Sequence, residues 1–156
     1  MKRFFAVVLC VIICAVSFTS CAGDKSKAVA LTDVYASLEQ VTNMPAMEIM
    51  PDALVETLFG FDLSKFEEYV FAEAADPSVN SDTVILIKLN DSADMTETCT
   101  ILDGYLASVR DNTQSYSPVN YAKAAKSSVT VIDNNYVYLV ITTEYAEAQQ
   151  IIANAF

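Results

Sequence analysis

Apolar positions recur along this chain with three different spacings. Phe4 to Phe18 is an almost unbroken apolar run. Past residue 28 the pattern breaks into shorter periodic segments. Leu31, Val34, Leu38 and Val41 recur at helical spacing and predict an amphipathic helix over 30–41. Residues 42–51, interrupted by Pro45 and Pro51, read as a loop. Asp52 to Phe59 predicts a second helix with Gly60 as its C-terminal stop, and Asp62 caps one further turn through Phe66. Residues 69–74 and 83–89 read as two strands joined by a turn rich in Asp, Asn, Pro and Ser. The second of these, TVILIKL, is nearly all apolar and predicts a central strand.

Met95, Cys99, Leu102, Leu106 and Val109 then mark one face of a helix capped by Asp91 or Ser92. Arg110 falls near its C-terminal end, where the helix dipole favours a cation. Residues 111–118 predict a loop and 120–126 a short helix. Residues 129–132 and 136–141 predict a closing hairpin, turned tightly at Asp133-Asn134-Asn135 because Asn tolerates positive φ. Thr143 is expected to cap a last helix reaching Phe156. A hairpin followed by a helix occurs twice, so the expected fold is α+β. It has two layers, a four-stranded antiparallel sheet with helices on one face.

The leading apolar run carries an address. Lys2 and Arg3 precede it, and the small residues Thr19 and Ser20 bring it to Cys21. A charged start, an apolar middle and a small-residue end make a secretory signal. Fifteen apolar residues are short for a bilayer span, which takes about 20. The end resembles a lipobox, in which the Cys thiol receives a diacylglycerol before cleavage, although Phe18 stands where Leu is usual. The expected organisation is a signal over 1–20, a lipidated tether over 21–28 and one domain over 29–156. The expected location is the outer, extracytoplasmic face of the cell membrane, with the Cys21 lipid as the membrane contact.

Composition narrows the partners. The full chain carries 9 basic and 20 acidic residues, a net charge of −11. Loss of Lys2 and Arg3 with the signal takes this to −13. Such a surface disfavours nucleic acid and offers no basic patch to anionic lipid. Cys10 and Cys14 leave with the signal and Cys21 is the lipid site, so Cys99 has no partner for an intramolecular disulfide.

Much catalytic equipment is missing from the sequence. It contains no His and no Trp, and only Gly23, Gly60 and Gly104. Absence of His removes Ser-His-Asp and Cys-His catalysis. Three scattered glycines make no phosphate-cradling loop. No cofactor is expected. Four features invite a chemical reading. Met44, Met47 and Met50 could offer thioethers to Cu(I), against a role as flexible packing. Asp91/Asp94 and Glu144/Glu147 could serve a carboxylate-based hydrolase or transferase, against capping of the helices they begin. Cys99 lies on an apolar stripe and reads as a packed thiol. Tyr116, Tyr121, Tyr136 and Tyr138 could form a binding patch, against burial of Tyr136 and Tyr138 beneath helices. These leave an envelope binding module as the leading expectation, with an unidentified envelope protein or ligand as partner.

Finally, FGFDLSKFEEYV at 59–70, TVILIKLND at 83–91 and YSPVNYAKAAKSSVTVIDNNYVYLVIT at 116–142 resemble a family of small Gram-positive lipoproteins, the DUF4358 family. Phe59-Gly60-Phe61-Asp62 and Tyr116-Ser117-Pro118 fit its turn and Tyr-x-Pro step. The resemblance implies a single lipid-anchored domain and carries over no catalytic residue.

Overall fold

A computed structural model describes residues 29–133 and 135–156. The expected signal, Cys21 and the tether lie outside the described residues, as does Asn134. Five strands form one antiparallel sheet: β1 (Met47–Ile49), β2 (Phe66–Ala74), β3 (Thr83–Leu89), β4 (Thr130–Ile132) and β5 (Tyr136–Ile141). Their order is β1-β2-β3-β5-β4, with β3 in the centre as its apolar sequence requires. Five α-helices pack on the sheet: α1 (Leu31–Val41), α2 (Asp52–Phe59), α3 (Met95–Gln114), α4 (Pro118–Lys126) and α5 (Tyr145–Ala155).

Two expectations about architecture are corrected. The sheet has five strands, because Met47–Ile49, read as loop, pairs with Ala72–Ala74 of β2. Helices cover both faces rather than one, so the layering is helix-sheet-helix. The alternation along β3 shows this directly. Ile85, Ile87 and Leu89 enter a core with Phe59 of α2, Leu102 and Leu106 of α3, and Ala124 of α4. Val84 and Leu86 enter a second core with Leu31, Val34 and Leu38 of α1, and Ala148 and Ile152 of α5. A strand buried on both sides cannot alternate with polar residues, and β3 does not.

Local signals place the connections. Gly60 takes φ 72°, the left-handed conformation that closes α2. The Asp62 carboxylate accepts from the Ser64 amide and caps a 3-10 turn, Leu63–Lys65. Asp91 does the same for Ser92–Asp94, accepting from the Ala93 amide ahead of α3. Three terminal details differ from expectation. Positive φ in the last hairpin falls on Asp133, at 48°. α5 begins after Glu144 without a side-chain cap, so Thr143 caps nothing. α3 runs to Gln114, past Arg110, whose guanidinium serves the neighbouring helix instead. Its Nε donates to the Ala124 carbonyl at 3.0 Å and its Nη2 to the Ser127 carbonyl at 2.7 Å. Arg110 thus satisfies carbonyls at the C-terminal end of α4.

The sheet has two distinct ends. The backbone amide of Leu31, where α1 begins, donates to Glu68 Oε1 at 2.6 Å. Glu68 stands across the ladder from Lys88, and Lys88 from Tyr136, whose ring packs at a tilt against Phe156 with centroids 4.6 Å apart. Both ends of the described chain therefore meet at one end of the sheet. At the opposite end stand the β2–β3 turn, the α3–α4 turn and the start of α5.

Candidate functional site

The far end of the sheet concentrates polar groups that burial would normally exclude. Asp82 opens β3 and Lys123 sits on the inner side of α4, each read from sequence as an ordinary turn or helix residue. Lys123 Nζ donates to Asp82 Oδ2 at 2.5 Å, with side-chain exposures of 9% and 1%. A buried charge survives only when paired, so each fixes the other. Beside them the buried Asn120 donates through Nδ2 to the Val79 carbonyl at 2.8 Å. These two bonds lock the β2–β3 turn onto α4, and Arg110 locks α4 onto α3.

Between this turn and α3 lies a polar cleft of about 170 Å³, lined by Glu73, Asp82, Thr83, Tyr105 and Asn112 among others. Thr83 Oγ1 and the Tyr105 hydroxyl share a hydrogen bond at 3.3 Å. Ser81 also lines the cleft, and its hydroxyl oxygen is buried without a partner among the described residues. Glu73 stands directly across the β1–β2 ladder from Glu48, a like-charge juxtaposition. Burial, and then the Glu48 charge, push the Glu73 carboxyl above its ordinary range. Burial likewise raises the Tyr105 phenol, and Glu73 adds to that, while the Thr83 hydrogen bond works the other way. Among the described residues, none of the four ion pairs includes Glu73.

The residues singled out from sequence separate. Met50 enters the core on the α2–α3 face, whereas Met44 and Met47 pack on the α1–α5 face. Three thioethers divided by a sheet do not converge on one ion. Tyr138 is buried and Tyr136 half-buried against α1 and α5. Tyr121 is half-buried on α4, and Tyr116 is 90% exposed at the α3–α4 turn. The four tyrosines therefore form no single patch.

Asp91 caps its turn, and Asp94 pairs with Lys65 at 3.0 Å. Glu144 accepts from Asn43 Nδ2 at 3.3 Å. With Glu147 it lines a groove of about 430 Å³ that also holds Lys126 and Tyr145. Cys99 is half-buried beside the α2–α3 core, and burial, then Asp103, raise its thiol. Cys21 lies outside the described residues.

Sequence reasoning missed Glu73, Asp82 and Lys123. The one available signal was Asp82 itself, an acid abutting a nearly all-apolar strand, where an unpaired charge would be costly.

A family model for a domain of unknown function, DUF4358, matches residues 31–142. All the cleft residues fall within that span, and α5 falls outside it. No curated protein and no solved structure matches the chain.

Proposed function

The chain belongs to the DUF4358 family, and from that premise we propose that it is a non-enzymatic binding module. In this reading the Cys21 lipid anchors it to the outer face of the cell membrane. The observation that carries the binding role is the end of the sheet opposite α1's first residue. Three exposed apolar side chains, Val79 (62%), Tyr116 (90%) and Val119 (67%), stand on the turns at that end. They lie on the two segments that the Asn120–Val79 bond holds together. Apolar groups on a fixed frame suit recognition, since little order remains to be imposed on binding.

The anchor gives this end its orientation. Residues 22–28 would span at most about 25 Å and enter the domain at Val29, near Glu68. Glu73 lies about 17 Å further along β2 at the usual strand rise. The recognition end would then face away from the membrane, toward whatever occupies the envelope. Two or more acyl chains hold a domain stably, at about 0.8 kcal/mol per buried methylene.

The cleft supports binding over carboxylate catalysis. A hydrolase of that kind needs two free acids with separated roles. Asp82 is neutralised by Lys123, which leaves Glu73 as the free acid among the lining residues.

Two experiments test the proposal. Cys21→Ala should abolish lipid labelling and release the protein or leave it unprocessed, and unchanged labelling would overturn the anchor. A photocrosslinker at Val119 in intact cells should capture a specific neighbour, lost in a Tyr116→Ala, Val79→Ser variant. Capture unaffected by those changes would overturn the recognition end.

A further inference from the structure

Resting on the binding role just proposed, the cleft geometry points to a specific occupant: we infer that it receives the ammonium or guanidinium head of a lysine or arginine side chain presented by a protein partner. The cleft is lined by acceptors and by acid. Glu73 supplies a half-buried carboxylate, the Thr83 and Tyr105 hydroxyls and the Asn112 amide can accept, and neither lysine nor arginine lines the wall. Lys123 is committed to Asp82, which lines the cleft. Among the described residues the hydroxyl of Ser81, another lining residue, is buried with no partner, an independent sign that the polar wall is incomplete by itself.

The physical case is one of unmet cost. A partly desolvated carboxylate is destabilised, and Glu48 directly opposite adds repulsion. The fold holds this arrangement in place through β2 pairing on both sides. A cation entering the cleft would relieve both penalties at once through a charge-assisted hydrogen bond. The volume, about 170 Å³, is several times the ~30 Å³ share of one liquid water. It admits a head group and its last methylenes, not a folded segment. Pro77 and Val109, which also line the cleft, give those methylenes an apolar wall. A cation carried on an alkyl stem, as in a lysine or arginine side chain, fits that wall better than a small free amine does.

The test uses the purified full-length chain and three probes followed by NMR: butylammonium, butylguanidinium and tetramethylammonium. The first two should perturb Thr83, Asn112 and Thr113 saturably, with at least a ten-fold loss of affinity in Glu73→Gln. Tetramethylammonium has charge but no N–H donor and should bind at least ten-fold more weakly. Equal binding of all three probes, or unchanged binding in Glu73→Gln, would overturn the assignment. The Val119 crosslink in cells separates this idea from the one beneath it. Loss of capture in Glu73→Gln supports a partner's cationic side chain. Capture lost on changing Tyr116 and Val79 but retained in Glu73→Gln, with no Glu73-dependent probe binding, keeps the binding role and overturns the cation. Probe binding without Glu73-dependent capture overturns the protein side chain in favour of a free amine.

Discussion

Glu73 and Asp82 are both acids at the same end of the sheet, and their surroundings give them opposite energetics. Burial raises the proton affinity of Glu73 in the folded state, with Glu48 adding to it. The folded protein therefore carries a penalty above the folded pKa of Glu73, and the penalty disappears as pH falls through that value. Glu73→Gln should be more stable than the parent at pH 7, by about 0.5 kcal/mol for a half-exposed group. The difference should shrink as pH falls and vanish only below the ordinary carboxyl range, as urea unfolding between pH 7 and pH 3 would show. A constant difference across that range would contradict this account.

Asp82 behaves otherwise because Lys123 neutralises it. Asp82→Ala should cost about 3–5 kcal/mol, the usual result of leaving one buried charge unpaired. Replacing both members, as Asp82→Leu with Lys123→Met, should recover most of that loss in a double-mutant cycle. The place of Asp82 beside an apolar strand hinted at a buried acid, but its partner was not legible in the sequence. Asp82 and Lys123 are 41 positions apart, and single-residue patterns carry no information about long-range pairing.

At the scale of elements, legibility followed the strength of the local period. β3 and β5 were legible because four apolar residues in succession in β3 and six in β5 admit few alternatives, and α1 because Leu31, Val34 and Leu38 repeat on one face. β1 escaped because three residues between prolines show no period, and its strand character comes from pairing with β2. The second helical layer was hidden for a different reason. An amphipathic helix declares that it has an inner face without declaring which side of a sheet receives it. The clue was in β3, whose both-sided apolarity required cover above and below.

Helices also differ in how much they depend on particular residues. Arg110→Ala should cost about 2 kcal/mol, since hydrogen bonds to charged groups contribute ~1.5–3 kcal/mol, and it should loosen α4 in hydrogen exchange. Gly104 lies in the interior of α3 with open space where a Cβ would be. Gly104→Ala should therefore stabilise by about 0.5–1 kcal/mol, read as a raised Tm. Gly60→Ala should do the reverse, because φ 72° is strained for any residue with a side chain.

For the whole molecule, both outer strands, β1 and β4, are three residues long. Short edges leave little backbone for another chain to pair with, and the net charge of −11 adds repulsion between copies. α5 lies beyond the family match at 142, yet Ala148 and Ile152 complete the core on its side. The entry of the chain beside Glu68 also has a mechanical meaning. A pull applied from the N-terminal side meets the Leu31–Glu68 hydrogen bond first. It then peels α1 from the sheet one contact at a time, Leu31 before Val34 before Leu38, while the strands stay loaded side by side. Peeling in sequence takes less force than shearing bonds in parallel. An optical-tweezers experiment pulling from the N-terminus should show an early, low-force step that frees about 45 Å of extended chain, with the sheet rupturing separately at higher force. A single concerted rupture would show that α1 and the sheet bear load as one unit.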